Sequence, residues 1–283
     1  MNITTDQALG NFFQKLQIMF PFPGYCDRTM LKEVSVIVRE LRKYFPNFDQ
    51  RRLLDIGSGP MDKTAMFKLL GFQCYAADDL TDPWHQRNDN ADKIKEFAEQ
   101  PGIEFFHQTA TDYAIPFEPE SFDVVCALGV IEHLHESPRG LLNTMGRFLR
   151  RDGLLVIAMP NSVNLRKRLS VLSGRTNYPS IDAFYHSTGQ WRGHVREYTL
   201  SETAYICKAA GFEVVTQRTF EHLAYEKLSS PLRDIYLMLT SIVPTLGSGL
   251  LVICRKLASW EPQAEDPEAF RGAISRVVPK AIA

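Results

Sequence analysis

Leu53-Leu54-Asp55-Ile56-Gly57-Ser58-Gly59-Pro60 sets two glycines one residue apart directly behind a short apolar run. Without a Cβ, such a turn bends where other residues resist and lets a ligand approach the backbone closely. With a strand before it and a helix after it, the turn lies where open α/β sheets bind nucleotide-like ligands, at a strand's carboxyl end. An acidic residue follows at the spacing this geometry needs, about 20 positions on. Asp78 closes the run Cys74-Tyr75-Ala76-Ala77, and its carboxylate can accept hydrogen bonds from the hydroxyls of a ribose; Asp79 is its direct rival. A dinucleotide site needs a further glycine, and at that position, the third after Gly59, stands Asp62. Its carboxylate repels a pyrophosphate, whereas a ligand without phosphates and with a positive charge meets no such objection.

A second group can move protons. Gly129-Val130-Ile131-Glu132-His133-Leu134 follows another apolar run, and a neutral imidazole such as His133 can take a proton from a hydroxyl near neutral pH. The plainer role for His133 is to satisfy backbone groups at a helix start. His194 and His186 compete for the proton-accepting task; both lie in the aromatic segment 175–198, where Tyr178, Trp191 and Arg196 are further candidates for substrate contact. Arg166, Lys167, Arg168 and Arg175 either grip an anionic substrate or form a solvated helix face. The five cysteines are odd in number and scattered, without C-x-x-C or Cys/His pairing at metal-ligand spacing. They read as reduced, buried thiols of a cytoplasmic protein, and no metal site is expected.

The elements that must position these residues follow from periodicity. Short apolar runs alternate with amphipathic stretches, the pattern of a mostly parallel sheet wound with helices on both faces. The runs predict seven strands, at Leu53–Ile56, Cys74–Ala77, Ile103–His107, Asp123–Leu128, Leu154–Met159, Phe212–Thr216 and Leu250–Cys254. Helices are expected at Thr29–Tyr44, Lys63–Leu70, Leu141–Leu149 and Asn164–Leu172, and again from the capping box Thr199-Leu200-Ser201-Glu202 to Ala210, with Gly211 as the stop. The domain reading is an N-terminal helical cap over 1–50, a doubly wound α/β domain over 51–258 and a peripheral tail over 259–283. A substrate-binding insertion occupies 160–198 after the fifth strand. The N-terminal aromatics Phe12, Phe13, Phe20 and Phe22 must pack on something, either the core or the roof of a pocket. The apolar run Ile235–Cys254 is broken by Pro244, Gly247 and Gly249, so a buried helix and a buried strand are expected rather than a membrane span.

With 32 basic against 33 acidic residues, the chain lacks the long-range positive field that draws nucleic acid, and no DNA or RNA partner is expected. The first residues show no positive region followed by an apolar block, so a secretory signal is not indicated. Nothing in the sequence reports an oligomeric state.

From about Arg52 to Lys256 the chain resembles the class I S-adenosylmethionine-dependent methyltransferases, of the broad ubiquinone-biosynthesis-like or small-molecule group. The resemblance rests on Leu54–Gly59 and Asp78, on Ile115–Val125 leading into the fourth strand, on Gly129–Leu134, and on Arg151-Asp152-Gly153-Leu154 turning into the fifth. It implies a Rossmann-like methyltransferase fold with S-adenosylmethionine as cofactor. Asp55, Gly57, Ser58 and Gly59 would hold the amino-acid part, and Asp78 the ribose. Thr111 or Asp112 would meet the adenine with Tyr113 at its face, and Leu128 and Gly129 would lie near the sulfur. Pro60 and Met61 depart from the family, which often carries another glycine there. The expected reaction is methylation of a hydroxyl oxygen on a small metabolite, sugar or lipid-linked intermediate. N- or C-methylation, a non-catalytic cofactor-binding scaffold and a nicotinamide-dependent oxidoreductase are the alternatives.

Overall fold

The structure is a computed structural model that describes residues 5–107 and 115–277. Strands β1 (Arg52–Ile56), β2 (Gln73–Asp78), β3 (Glu104–His107), β4 (Phe122–Leu128), β5 (Leu149–Pro160), β6 (Phe212–Phe220) and β7 (Gly249–Lys256) form one sheet in the order β3-β2-β1-β4-β5-β7-β6. All neighbours pair in parallel except β7, which runs antiparallel between β5 and β6. This is the doubly wound, mostly parallel sheet that the pattern predicts, in the Rossmann-like form that the resemblance implies. Chain winding reverses between β1 and β4, which pair with Asp55 opposite Cys126. A crevice opens beyond the strand ends at such a reversal.

Helices α1 (Thr5–Met19), α2 (Arg28–Leu41), α3 (Asp62–Leu69), α4 (Asn90–Glu99) and α5 (Arg139–Phe148) are followed by α6 (Leu165–Leu172), α7 (Ile181–Tyr185), α8 (Leu200–Ala209), α9 (Ser230–Ile242) and α10 (Pro267–Val277). Because strand side chains alternate between faces, Leu53, Val124, Cys126, Leu154 and Val156 join one core while Leu54, Val125, Ala127, Leu155 and Ile157 join the other. The first core takes α1 to α4 through Leu9, Val34, Ile37, Ala65 and Phe97. The second takes α5 and α8 through Leu142, Met145 and Cys207. Predicted starts are kept by real caps: Asp27 accepts from the Met30 N–H at 2.9 Å, and Thr199 and Glu202 form the full capping box. Strand β6 runs on to Phe220, past the expected end at Thr216, because it pairs with β7 along that length.

Of the N-terminal aromatics, Phe13 and Phe20 are buried in the first core. Phe22 and Tyr25 instead meet Trp84, with ring centroids 4.8 and 5.2 Å apart, so this segment also closes over the loop after β2.

One apolar segment departs from expectation. Helix α9 is exposed rather than buried: Ile235 keeps 51% of its surface and Ile242 67%. Both sheet faces are already covered by the other helices, so nothing remains for α9 to fill. Tyr178, Ile181, Phe184 and Tyr185 in the insertion are likewise exposed. The start of the tail is bound in: Trp260 donates its indole N–H to the Ala210 carbonyl at 2.8 Å, and the Asn143 amide exchanges two 2.9 Å hydrogen bonds with the Gln263 backbone. Among the described residues no helix is long and apolar enough to cross a membrane.

Candidate active site

The glycine turn sits where β1 meets β2. Gly57 and Gly59 adopt φ of +71° and +52°, the left-handed region, and the Gly57 N–H donates to the Ala77 carbonyl at 2.8 Å. A Cβ on Gly57 would stand 2.6 Å from Val130 Cγ2, so the turn can nest against the segment after β4 only as glycine. Met61, where a glycine is more usual, takes the same left-handed conformation at φ +64° as a fully buried residue. Pro60 and Met61 therefore preserve the bend at a backbone cost and anchor it in the core.

Asp78 ties the turn to the second strand. One carboxylate oxygen accepts from the Gly59 N–H and the other from the Leu80 N–H, each at 2.7 Å. A carboxylate has about four acceptor sites, which leaves two for ligand hydroxyls. Asp79 points its carboxylate into its own turn, where it accepts from the Thr81 N–H and hydroxyl. Asp55 is 2% exposed; one oxygen accepts from the Thr64 hydroxyl at 2.6 Å, and the other, like Ser58 Oγ, has no partner. Burial pushes the Asp55 carboxyl up to about 7. Unsatisfied buried acceptors beside two left-handed glycines make this rim fit a ligand that brings its own donors. His85 borders it, its ring 3.7 Å from where a Gly59 Cβ would stand. Asp62 opens α3 in the place of a dinucleotide's third glycine and is buried there, its carboxyl also raised by burial. Thr111, Asp112 and Tyr113 lie outside the described residues.

Beyond the rim, Leu128 ends β4 and is followed by Gly129 at φ +79° and a short turn over Ile131–His133. The end of the insertion is stitched onto this turn. Val195 and Arg196 donate their N–H groups to the Glu132 carbonyl at 2.8 and 3.2 Å, His133 Nδ1 bonds the Arg192 carbonyl at 2.9 Å, and His135 Nε2 bonds the Trp191 carbonyl at 2.7 Å. His133 and His194 thereby meet edge to face with centroids 4.9 Å apart. His194 Nδ1 bonds Glu197 at 2.7 Å, and burial next to His133 and Lys167 lowers its pKa to about 4. Glu132 is 1% exposed, with Oε2 unpartnered, and burial raises it to about 7.

A cleft of about 330 Å³ opens here, lined by Arg166, Lys167, Asn177, Tyr178, His194 and Glu197. Lys167 is ion-paired to Glu197, and Arg166 also lines the cleft. Arg168 is spent on the Val163 carbonyl and the Thr245 hydroxyl. The structure does not bring the other insertion candidates to this cleft. His186 is exposed beside Asp182, Arg196 pairs with Glu202 at 3.0 Å, and Trp191 packs on Gly193 with its indole N–H on the His194 carbonyl.

Sequence reasoning passed over Glu33, Lys63 and His222. Lys63 bonds Glu33 at 2.9 Å between α3 and α2, and His222 Nε2 lies 4.0 Å from Glu33. The available signal was Glu33 itself, a charge inside the apolar stripe Met30, Val34 and Ile37.

The comparisons agree with this geometry. A family model described as a methyltransferase domain matches residues 28–217, well over half of the chain, and the chain belongs to that family. It is a methyltransferase of the S-adenosylmethionine-dependent class; the match does not single out the ubiquinone-biosynthesis-like group. An S-adenosylmethionine-dependent methyltransferase from Archaeoglobus fulgidus superposes with a TM-score of 0.52 at 20% identity, over 79% of this chain and 94% of the other. A Thermotoga maritima enzyme described as a possible histamine N-methyltransferase does so with a TM-score of 0.52 at 16% identity, over 87% and 95%. These likenesses are of fold. No curated protein matches the sequence.

Proposed function

We infer that the chain methylates a hydroxyl oxygen of a small molecule, a sugar or a lipid-linked intermediate in the cytoplasm, with the acceptor held in the cleft beside His133 and His194. The observation that carries this reading is the pinning of both imidazoles. A carbonyl on His133 Nδ1 and a carboxylate on His194 Nδ1 each require an N–H there, which leaves both Nε2 atoms as lone pairs. Five buried, free cysteines suit the reducing compartment.

When bound, S-adenosylmethionine supplies a methyl carbon whose bond to sulfur breaks, with both electrons staying on sulfur, as the acceptor's oxygen attacks. The chain's task is alignment, exclusion of water and removal of one proton. Orientation of the reacting atoms contributes roughly 7–11 kcal/mol, and a positioned proton acceptor about 10²–10⁴-fold. Asp78, Ser58 and the backbone of Gly57 and Gly59 would hold the cofactor, with Asp55 behind the turn and Gly129 on the far wall. Arg166 faces the cleft, where it can take an anionic group of the acceptor.

The test is calorimetric titration with S-adenosylmethionine, followed by detection of S-adenosylhomocysteine released with a panel of hydroxylated acceptors. Asp78→Ala is expected to weaken cofactor binding roughly 10-fold or more, the worth of hydrogen bonds to a charged group. Equal binding by the variant removes Asp78 from the site. Cofactor binding without turnover on any acceptor supports a scaffold instead.

A further inference from the structure

We propose that Glu132, His133 and His194 form a binding site for one divalent first-row transition ion, such as Mn²⁺, Fe²⁺, Co²⁺ or Zn²⁺. One ligand atom from each of the three side chains lies within 4.8 Å of the other two. Bonds of about 2.1 Å put adjacent donors roughly 3–3.5 Å apart, so small side-chain rotations close the set around an ion. Two imidazoles and one carboxylate select such a metal over Mg²⁺ or Ca²⁺, which prefer oxygen alone, and they leave positions open.

Three features beyond the cluster point to an ion. Glu132 is 1% exposed, and its Oε2 has no hydrogen-bond partner, although an unpaired buried carboxylate oxygen is expensive. Each imidazole is bonded on Nδ1, His133 to the Arg192 carbonyl at 2.9 Å and His194 to Glu197 at 2.7 Å. This is the outer-shell arrangement that orients metal-bound histidines and presents Nε2. Finally, the two segments are held together by the Glu132 carbonyl, which accepts from the N–H groups of Val195 and Arg196, so the donors converge without an ion to gather them. Lys167 also faces His194, and its charge opposes a cation there; the ion pair with Glu197 offsets that opposition.

An ion here borders Gly129, whose Cβ position is 3.7 Å from Glu132 Oε1, and opens toward the cleft that His194 lines. An acceptor hydroxyl in an open position is acidified by coordination and loses its proton to solvent, so in the ion-loaded protein coordination takes the place of the two imidazoles as proton acceptors. The role in turnover rests on the reading of this site as the place where the acceptor is activated; the binding of an ion rests on the side chains alone.

The test uses untagged, chelator-treated full-length protein titrated with Co²⁺ followed by its visible ligand-field absorption, and with Mn²⁺ followed by electron paramagnetic resonance. One ion per chain is expected, lost in Glu132→Gln and in His194→Ala. Glu197→Gln, which keeps all three ligands, should weaken binding roughly 10–100-fold. Circular dichroism and thermal unfolding establish that each variant is folded. Should Glu132→Gln not fold, His133→Ala and His194→Ala, both at partly exposed positions, decide the matter. Absence of the stoichiometric step, or its survival in the His194 variant, overturns the site. Turnover that is equal in chelated and ion-loaded protein overturns the catalytic role while leaving the methyltransferase reading intact. Co²⁺ binding without S-adenosylmethionine binding does the reverse.

Discussion

Asp55 shows how one side chain couples the cofactor rim to stability. Its carboxyl is buried, half-satisfied by Thr64, and raised to about 7 against about 4 in an unfolded chain. Below pH 4 the group is protonated in both states and makes no difference. As pH climbs from 4 to 7 the unfolded chain ionises and the folded one does not, so stability is lost across that window and stays lost above it. Asp55→Asn removes the titration. The variant's stability relative to the parent should therefore improve between pH 5 and pH 8, by an amount on the order of 2–4 kcal/mol at about 1.4 kcal/mol per unit. Urea denaturation at the two pH values measures this; an equal difference at both would refute the burial argument. Asp55 and Gly57–Gly59 were legible in the sequence because a strand, a tight turn and a helix occupy consecutive residues. Glu132-His133 was legible as an acid/base candidate, but the burial of Glu132 was not, because the depth at which a carboxylate lies is not written in its neighbours.

Among the elements, the last ordered stretch before α10 acts as a clasp. Trp260 packs on Gly146 of α5 so closely that a Cβ there would come within 2.2 Å of the ring, and its indole N–H caps the end of α8 at Ala210. Trp260→Ala should lower unfolding free energy by about 3 kcal/mol, the low end for a large aromatic because this ring is only partly buried. Chemical denaturation checks it, and a loss below about 0.5 kcal/mol would mean that the clasp is superficial. The proline- and acid-rich composition of the tail concealed this contact. Gly146 and Gly211 receive the ring, and a small residue on a helix announces room without saying what fills it. Helix α9 shows the opposite error: its apolar residues suggested burial, but faces were assigned to other helices first.

For the whole molecule, a ligand that binds only the folded chain must raise its melting temperature. At a concentration 100 times its dissociation constant, S-adenosylmethionine contributes about 2.7 kcal/mol, which for a domain of this size corresponds to roughly 5–10 °C at 2–4 °C per kcal/mol. NAD should give no shift, since Asp62 occupies the third-glycine position. A differential scanning measurement with both ligands checks this, and a shift with NAD alone would reassign the rim.

The positions of the strands along the chain, the glycine turn and the acid at the end of β2 were set by local sequence, because hydrophobic periodicity and turn chemistry act over a few residues. Which residues of the long insertion come to the site was decided only by tertiary structure. His194 reaches His133 because backbone N–H groups at 195 and 196 close on the Glu132 carbonyl, whereas His186, in the same segment, stays at the surface. No periodicity encodes a contact between residues about 60 positions apart in the chain; it exists because an unpaired carbonyl after one strand and two unpaired donors before a helix satisfy each other.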